Sequence, residues 1–498
     1  MAPNTRPQGW SCWRLPRNKT SLSPNGKPAW RLPGILTLKN KGGETALKKD
    51  ISSLHVPHNK HTAACEPVRI DLPKEVVLPM NMHSGHEAEP IIQVGDTVKV
   101  GQLIAREEGR FSSPVHATVS GKVVQIGTMD TAKGKLTTVI RIESDGLMEV
   151  APTVKPPVVT DCDSFLQAVR ESGMVGLGGA AFPTWAKLNE ARNADYKVDT
   201  VLINAAECEP YITSDHRMML AHPELIADGI EYLRKYMSDY LKDAVYKICI
   251  EKNKPDAIAL LKKTFAGKDY VQVHELNAIY PQGAKQVMLY NATGRVAIAG
   301  RRFPSFGALI INVSSLALTA HYLNTGMPLV ERIVTVDGPA VEKPMNLIAP
   351  IGTRISELLK YTGLKSQPGK IVVGGPMNGS AICSVDDPIV KVSNAVLVFD
   401  EKRAVLPEAS ACINCGRCVE KCPIGISVAM VDRVMKLRDE ERRVKALIDT
   451  GVRQCVDCAC CSYVCPAHRP LLQINQQAKS YLKQYAAAQK EKAGGATK

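Results

Sequence analysis

No stretch of this 498-residue chain approaches the roughly 18 consecutive apolar residues that a membrane-spanning helix needs. The longest apolar run, Ala308 to Ala320, is broken by Asn312, Ser314 and Ser315, so it reads as a buried strand or helix. Residues 1–30 lack a continuous apolar core, which argues against a secretory signal. Residues 1–43 lack any acid yet hold eight Lys or Arg. Pro and Gly interrupt an amphipathic helix there, so a disordered or non-native basic tail is favoured over an organellar transit peptide. That tail supplies eight of the net charge of +14 and leaves +6 for everything else. Basic residues interleaved with aromatics are also missing, so nucleic acid is not an expected partner.

What the chain has is cysteine in a pattern. Cys412, Cys415, Cys418 and Cys422 run C-x2-C-x2-C-x3-C-P, and Cys455, Cys458, Cys461 and Cys465 repeat the run 43 residues later. This is the bacterial ferredoxin ligand run, and two copies imply two [4Fe–4S] clusters and one-electron transfer. In two-cluster ferredoxins the fourth ligand of each cube comes from the other run. The expected sets are therefore Cys412, Cys415, Cys418 with Cys465, and Cys455, Cys458, Cys461 with Cys422. A pair of zinc sites would use only C-x2-C pairs and leave the remaining spacing unexplained. Cys460, beside Cys461, is surplus; it could swap in as a ligand, but packing as a small apolar side chain is favoured. Each oxidised cube with four thiolates adds about −2, which brings the folded body close to neutral. Such thiolates belong in a reducing, cytoplasmic setting.

Composition and length allow three or four globular domains. Residues 44–160 read as β-rich, with Gly95 and Gly101 at turns. The segments Val94 to Ile104 and Ser113 to Val123 resemble the half-motifs of lipoyl and biotinyl domains, which implies a barrel-sandwich. No lysine lies between Lys99 and Lys122, so the prosthetic arm of those domains is absent. Residues 161–325 alternate helices with short apolar strands, an α/β layer domain. A helix from Ser164 to Ser172 has Asp163 as its cap candidate, Val201 to Ile203 and Tyr246 to Ile250 read as buried strands, and Pro223 to Leu241 and Asp256 to Phe265 as helices. Residues 326–400 return to short strands. Residues 401–475 hold the cysteines, with one or two helices between Ser427 and Asp449. A basic helix from Gln476 fades into Gly494-Gly495, making 476–498 a basic tail. His55, His58, His61 and Cys65 are spaced like ligands, but Pro57 disfavours a helix that would converge them, and a surface loop is expected.

Gly176-x-Gly178-Gly179-Ala180-Ala181 formally fits the dinucleotide pattern, yet a helix rather than a strand precedes it. With its flank, Gly176 to Lys187 resembles the flavin loop of the NADH-oxidising subunit of respiratory complex I, with Ala181 in place of Gly. Asn204-Ala205-Ala206-Glu207-Cys208-Glu209-Pro210 followed by Asp215 resembles its N-A-D-E-x-E-P motif, with Ala206 in place of Asp. Glycines let backbone N–H groups approach a phosphate or a flat ring.

Pro281 to Gln286, Gly374 to Gly379 and Asp337 to Val341 match as well, the last resembling a soluble-ligand-binding β-grasp module. Over residues 44–475 the order resembles the C subunit of the Rnf electron-transport complex. The resemblance implies a multidomain α/β chain: barrel-sandwich-like part, α/β flavin/NAD domain, β-grasp module at 326–400, and helical two-cluster ferredoxin-like domain. It implies FMN at Gly176, Gly178, Gly179 and Lys187, and NAD(H) or flavin contacts at Asn204, Glu207, Glu209 and Asp215, with no side chain acting as general acid or base. It also implies a peripheral place on the cytoplasmic face of a membrane, the other Rnf subunits as partners, and indirect exchange with ferredoxin. Two other readings are a soluble microcompartment cobalamin reductase and a wiring subunit whose flavin site is dead.

Overall fold

The computed structural model describes residues 54–109, 111–130, 136–193, 195–298 and 300–495. The basic tail expected at 1–43 lies outside them, and residues 47–498 cluster as one unit. The N-terminal strands form two small sheets. Glu75–Pro79, Leu136–Ser144, Gly121–Asp130 and Thr97–Val98 make one, and Glu89–Pro90, Leu103–Arg106 and Val115–His116 the other. Inward residues at period two, such as Val76 opposite Ile142 and Leu78 opposite Ile140, fill the space between them. Gly121 sits at φ +152°, and a Cβ there would lie 1.9 Å from the Glu143 carbonyl, so the close strand approach requires glycine.

The next layer is a four-stranded parallel sheet in the order Val271–Leu276, Val245–Glu251, Thr200–Ala205, Ala308–Asn312. The runs 201–203 and 308–311 are continuously apolar because both faces are covered there, whereas the edge strand Val271–Leu276 alternates with polar residues. Val201 and Ile203 pack under the Cys162–Glu171, Pro223–Tyr236 and Val313–Thr325 helices, while Leu202 faces Met288 and Leu289 of the Lys285–Thr293 helix. The run 308–320 proves to be strand and helix in succession. Asn312 ends the strand and caps the helix, accepting from Ser315 N at 3.0 Å.

The helix expected from Ser164 begins earlier, at Cys162, and its cap is Asp161 rather than Asp163. Asp161 is extended and trades hydrogen bonds with Ser164 in a capping box, whereas Asp163 already lies in the first turn. The helix expected to reach Leu241 stops at Tyr236 and resumes as Ser238–Leu241.

A six-stranded mixed sheet follows, ordered Val68–Arg69, Met345–Pro350, Glu331–Asp337, Ala395–Asp400, Pro368–Val373, Ser380–Ala381. Its edge strand comes from before the barrel strands in sequence. Val428–Val434, Glu440–Asp449 and Leu471–Gly495 then pack around Val431, Leu447, Ala478 and Leu482. The last helix thus starts at Leu471, ahead of the expected Gln476. Among the described residues no helix is long and apolar enough to cross a membrane.

Candidate functional site

In an open parallel sheet, ligands bind beyond the carboxyl ends of the strands, where the strand order reverses. Here that point lies between the 200–205 and 308–312 strands, whose last paired residues are Asn204 and Asn312. The loop Gly176 to Phe182 is fixed over it. Gly176 N donates to Phe182 O at 2.9 Å, Leu177 N to Ser315 Oγ at 2.9 Å, and Ser315 Oγ to Val175 O at 3.0 Å. A Cβ on Gly178 would meet the Asn312 amide at 3.5 Å, and Gly179, at φ +101°, faces open space. Ala181, where the resembling motif has glycine, still adopts φ +51°, a left-handed setting that costs alanine about 1 kcal/mol.

Asn204 donates to Gly283 O at 3.1 Å and accepts from Ala206 N at 3.2 Å. Asp215 accepts from Asn312 Nδ2 at 2.7 Å and from Ser314 Oγ at 2.5 Å. The three polar residues that broke the apolar run are therefore what hold the glycine loop and Asp215. Their interruption was visible in the sequence, but its purpose was not.

Glu207 and Glu209 turn inward. The Glu207 carboxylate accepts from Asp215 N at 2.6 Å and His216 N at 3.2 Å, capping the Ser214–Ala221 helix, and burial raises its pKa. Glu209 accepts from Tyr280 OH at 3.2 Å and Met377 N at 3.1 Å, and burial pushes it up to about 7. A Cβ on Gly375 would lie 2.1 Å from the Glu209 carboxylate, so the Gly374–Gly379 motif is the seat of that acid.

Lys187 lies under the loop, its ammonium 3.7 Å from a Cβ position on Gly176. Burial, then the charge of Lys285, lower it to about 7, and burial lowers Lys285 as well. Among the described residues neither ammonium has a hydrogen bond or ion pair, and the nearby Glu190 is paired with Arg302 at 3.0 Å. A pair of partly buried cations whose one nearby acid, Glu190, is itself bound to Arg302 fits an anion such as the phosphate of FMN. Lys285 falls in the matching run Pro281 to Gln286, but its pairing with Lys187 was not legible because the two stand 98 residues apart and in no charge pattern.

Cys422, Cys455, Cys458 and Cys461 line one cavity. Cys418 lies beside Cys465, and Cys412 and Cys415 are exposed. Burial and neighbouring thiols push Cys455 and Cys461 up to about 12, so four thiolates could share this space only around a strong cation. Among the described residues no three such side chains converge on a single ion, and Cys460 lines the same cavity as these four cysteines. The residues fit an iron–sulfur cube. Asn475 Nδ2 stands 3.8 Å from Cys455 Sγ and 3.9 Å from Cys461 Sγ. Cys460 is fully buried and shares an apolar cluster with Cys458, Tyr280 and Cys208, which joins the cysteine region to the crevice loops. His61 binds Asp337 and does not converge with His55, His58 and Cys65.

Three family models match the chain. The RnfC barrel sandwich hybrid domain covers residues 51–147, the Nuo51 FMN-binding domain 169–321, and a 4Fe-4S dicluster domain 404–481. The C subunit of the Na(+)-translocating ferredoxin:NAD(+) oxidoreductase complex of Acetobacterium woodii is 37% identical over 378 residues, covering 74% of this chain and 84% of that one. Its proton-translocating counterpart in Clostridium ljungdahlii is 36% identical over 391 residues, 77% and 84%. The C subunit of the ion-translocating oxidoreductase complex of Serratia proteamaculans is 36% identical over 394 residues, 76% and 55%. With the barrel sandwich, the crevice and the double cysteine run in one chain, this protein belongs to the RnfC family.

Proposed function

We propose that this chain is the peripheral electron-transfer subunit of a membrane-bound, ion-translocating ferredoxin:NAD oxidoreductase, on the cytoplasmic face. The observation that carries this reading is the buried junction of Cys208 and Tyr280 with Cys458 and Cys460, which sets a flavin-type crevice directly against a cysteine run. FMN, when bound, supplies exchange of a hydride with NAD(H) and of single electrons with iron–sulfur clusters. Gly176, Gly178 and Gly179 admit a flat ring to the backbone. Lys187 and Lys285 take its phosphate. Asn204 and Asn312 line the strand ends, with Asp215 fixing the Asn312 amide. Glu207 and Glu209 hold the nucleotide-side loop in shape from within. Cys412, Cys415, Cys418 and Cys465 bind one cluster, and Cys455, Cys458, Cys461 and Cys422 the other. Residues 44–160, 161–325, 326–400 and 401–475 are then the barrel-sandwich, flavin/NAD, β-grasp and dicluster domains, and the partners are the other Rnf subunits, NAD(H) and, indirectly, ferredoxin.

The test is Gly179→Leu, whose side chain would strain the backbone and enter the open mouth of the crevice. Loss of bound FMN with full iron content is expected. Retained flavin and unaltered NADH oxidation would overturn the site.

A further inference from the structure

Residues 54–65, expected as a surface loop, instead cross the loops at the carboxyl end of the parallel sheet. Leu54 and Tyr280 exchange N–H···O bonds of 3.2 and 2.8 Å, and Tyr211 N donates to His58 O at 2.9 Å. Thr62, fully buried, meets Thr213 at 2.5 Å, and Asn346 Nδ2 donates to Thr62 O at 2.9 Å. Between these anchors Lys60 reaches the 206–213 loop. Its ammonium donates to the carbonyls of Glu207 at 2.8 Å, Glu209 at 2.9 Å and Ile212 at 2.5 Å, which uses all three of its donors. A second buried lysine, Lys254, donates to Ala206 O at 2.6 Å and to Glu251 at 3.3 Å. Four carbonyls of one short loop thus point at two ammoniums.

Peptide units are planar and trans, so each carbonyl drawn toward a lysine turns the following N–H the opposite way. For Ala206 and Glu207 those groups are Glu207 N–H and Cys208 N–H, and neither meets an acceptor among the described residues. Glu207 is held at φ +48° and Tyr211 at φ +70°, settings non-glycine residues keep only when something else fixes them. A left-handed residue is also what brings successive N–H groups to one side as an anion-facing concavity.

We propose that Lys60 is a positioning residue of the redox site: by gripping Glu207 O it presents Cys208 N–H, beside the Glu207 N–H that Lys254 turns through Ala206 O, to the pyrimidine oxygens of the flavin at the end of the central strand. Those oxygens gain negative charge on reduction, so preset donors favour the reduced form. This inference rests on the flavin reading above.

The experiment is spectroelectrochemical titration of FMN in the full-length protein and in Lys60→Met and Lys60→Arg variants, with cluster EPR recorded on the same samples. Lys60→Met is expected to keep both cluster signals and to lose about tenfold of its preference for reduced flavin, a shift of about 30 mV negative for a two-electron couple. Lys60→Arg, which keeps the charge, is expected to shift less. Loss of flavin alone, with clusters intact, also supports the proposal. An unchanged potential in Lys60→Met, or loss of flavin and cluster signals together, overturns it. Wild-type protein that binds no FMN would instead overturn the flavin reading.

Discussion

Lys187 lies under the glycine loop with no hydrogen bond or ion pair among the described residues, and this has a measurable consequence. Burial and Lys285 hold it near 7, well below the ordinary lysine value of about 10.4. A bound phosphate raises it again, so binding above pH 7 takes up a proton. FMN affinity should therefore be greatest near pH 6 to 7, where a phosphate monoester is already mostly a dianion above its second pKa of about 6. It should weaken by up to about tenfold per unit as pH rises further. Quenching of FMN fluorescence between pH 6 and 9 measures this, and affinity that is flat or tightens with pH would contradict it. Lys285→Gln should weaken FMN by roughly 10- to 100-fold, as loss of a charge-assisted hydrogen bond would, and riboflavin much less. At this scale the sequence was readable where chemistry is local. Cysteine ligands must recur at short spacing, so both runs stood out. The destinations of Glu207 and Glu209 did not, because an acid in a loop looks the same whether it faces water or caps a helix. Glu209 finds Met377 from 168 residues away.

Among the elements, the terminal helix Leu471–Gly495 does more than end the chain. Asn475 aims its amide at two thiols of the second run, and one turn later Lys479 binds Cys455 O at 3.0 Å and Asp457 at 2.5 Å. Donors to cluster sulfurs stabilise the reduced, more negative state. Asn475→Leu should therefore lower the potential of that cluster by on the order of 50 mV, taking a hydrogen bond of ~1 kcal/mol for one electron. EPR-monitored redox titration reads the shift, and an upward or absent change would sink the assignment. The helices 223–236 and 313–325 cross where a Cβ on Gly229 would meet Leu316 at 2.7 Å. Gly229→Val should cost about 2 kcal/mol or more by overpacking, seen as a lower unfolding midpoint with FMN and iron content still in ratio. Element types followed from periodicity and apolar runs. Their ends did not, because caps such as Asp161 are decided by side-chain geometry that composition shares with Asp163.

Across the whole molecule the order of barrel sandwich, FMN-binding domain and dicluster domain was legible, while their fastening was not. The segment 54–65 fastens the crevice loops to Tyr280 and to Asn346 of the mixed sheet, and Val68–Arg69 completes that sheet's edge. Such long-range contacts leave no local period in a sequence. They place the second cysteine run against Cys208 and Tyr280, and leave Cys412 and Cys415 of the first run exposed. The central claim is that one polypeptide joins a flavin crevice to two iron–sulfur cubes. Its most direct measurement is anaerobic isolation of the full chain, assay of FMN and iron, and EPR after NADH. About one FMN and about eight irons per chain are expected, with NADH bleaching the flavin absorbance and raising reduced-cluster signals. Colourless protein, silent in EPR even after dithionite, or protein holding stoichiometric zinc in place of iron, would contradict the account.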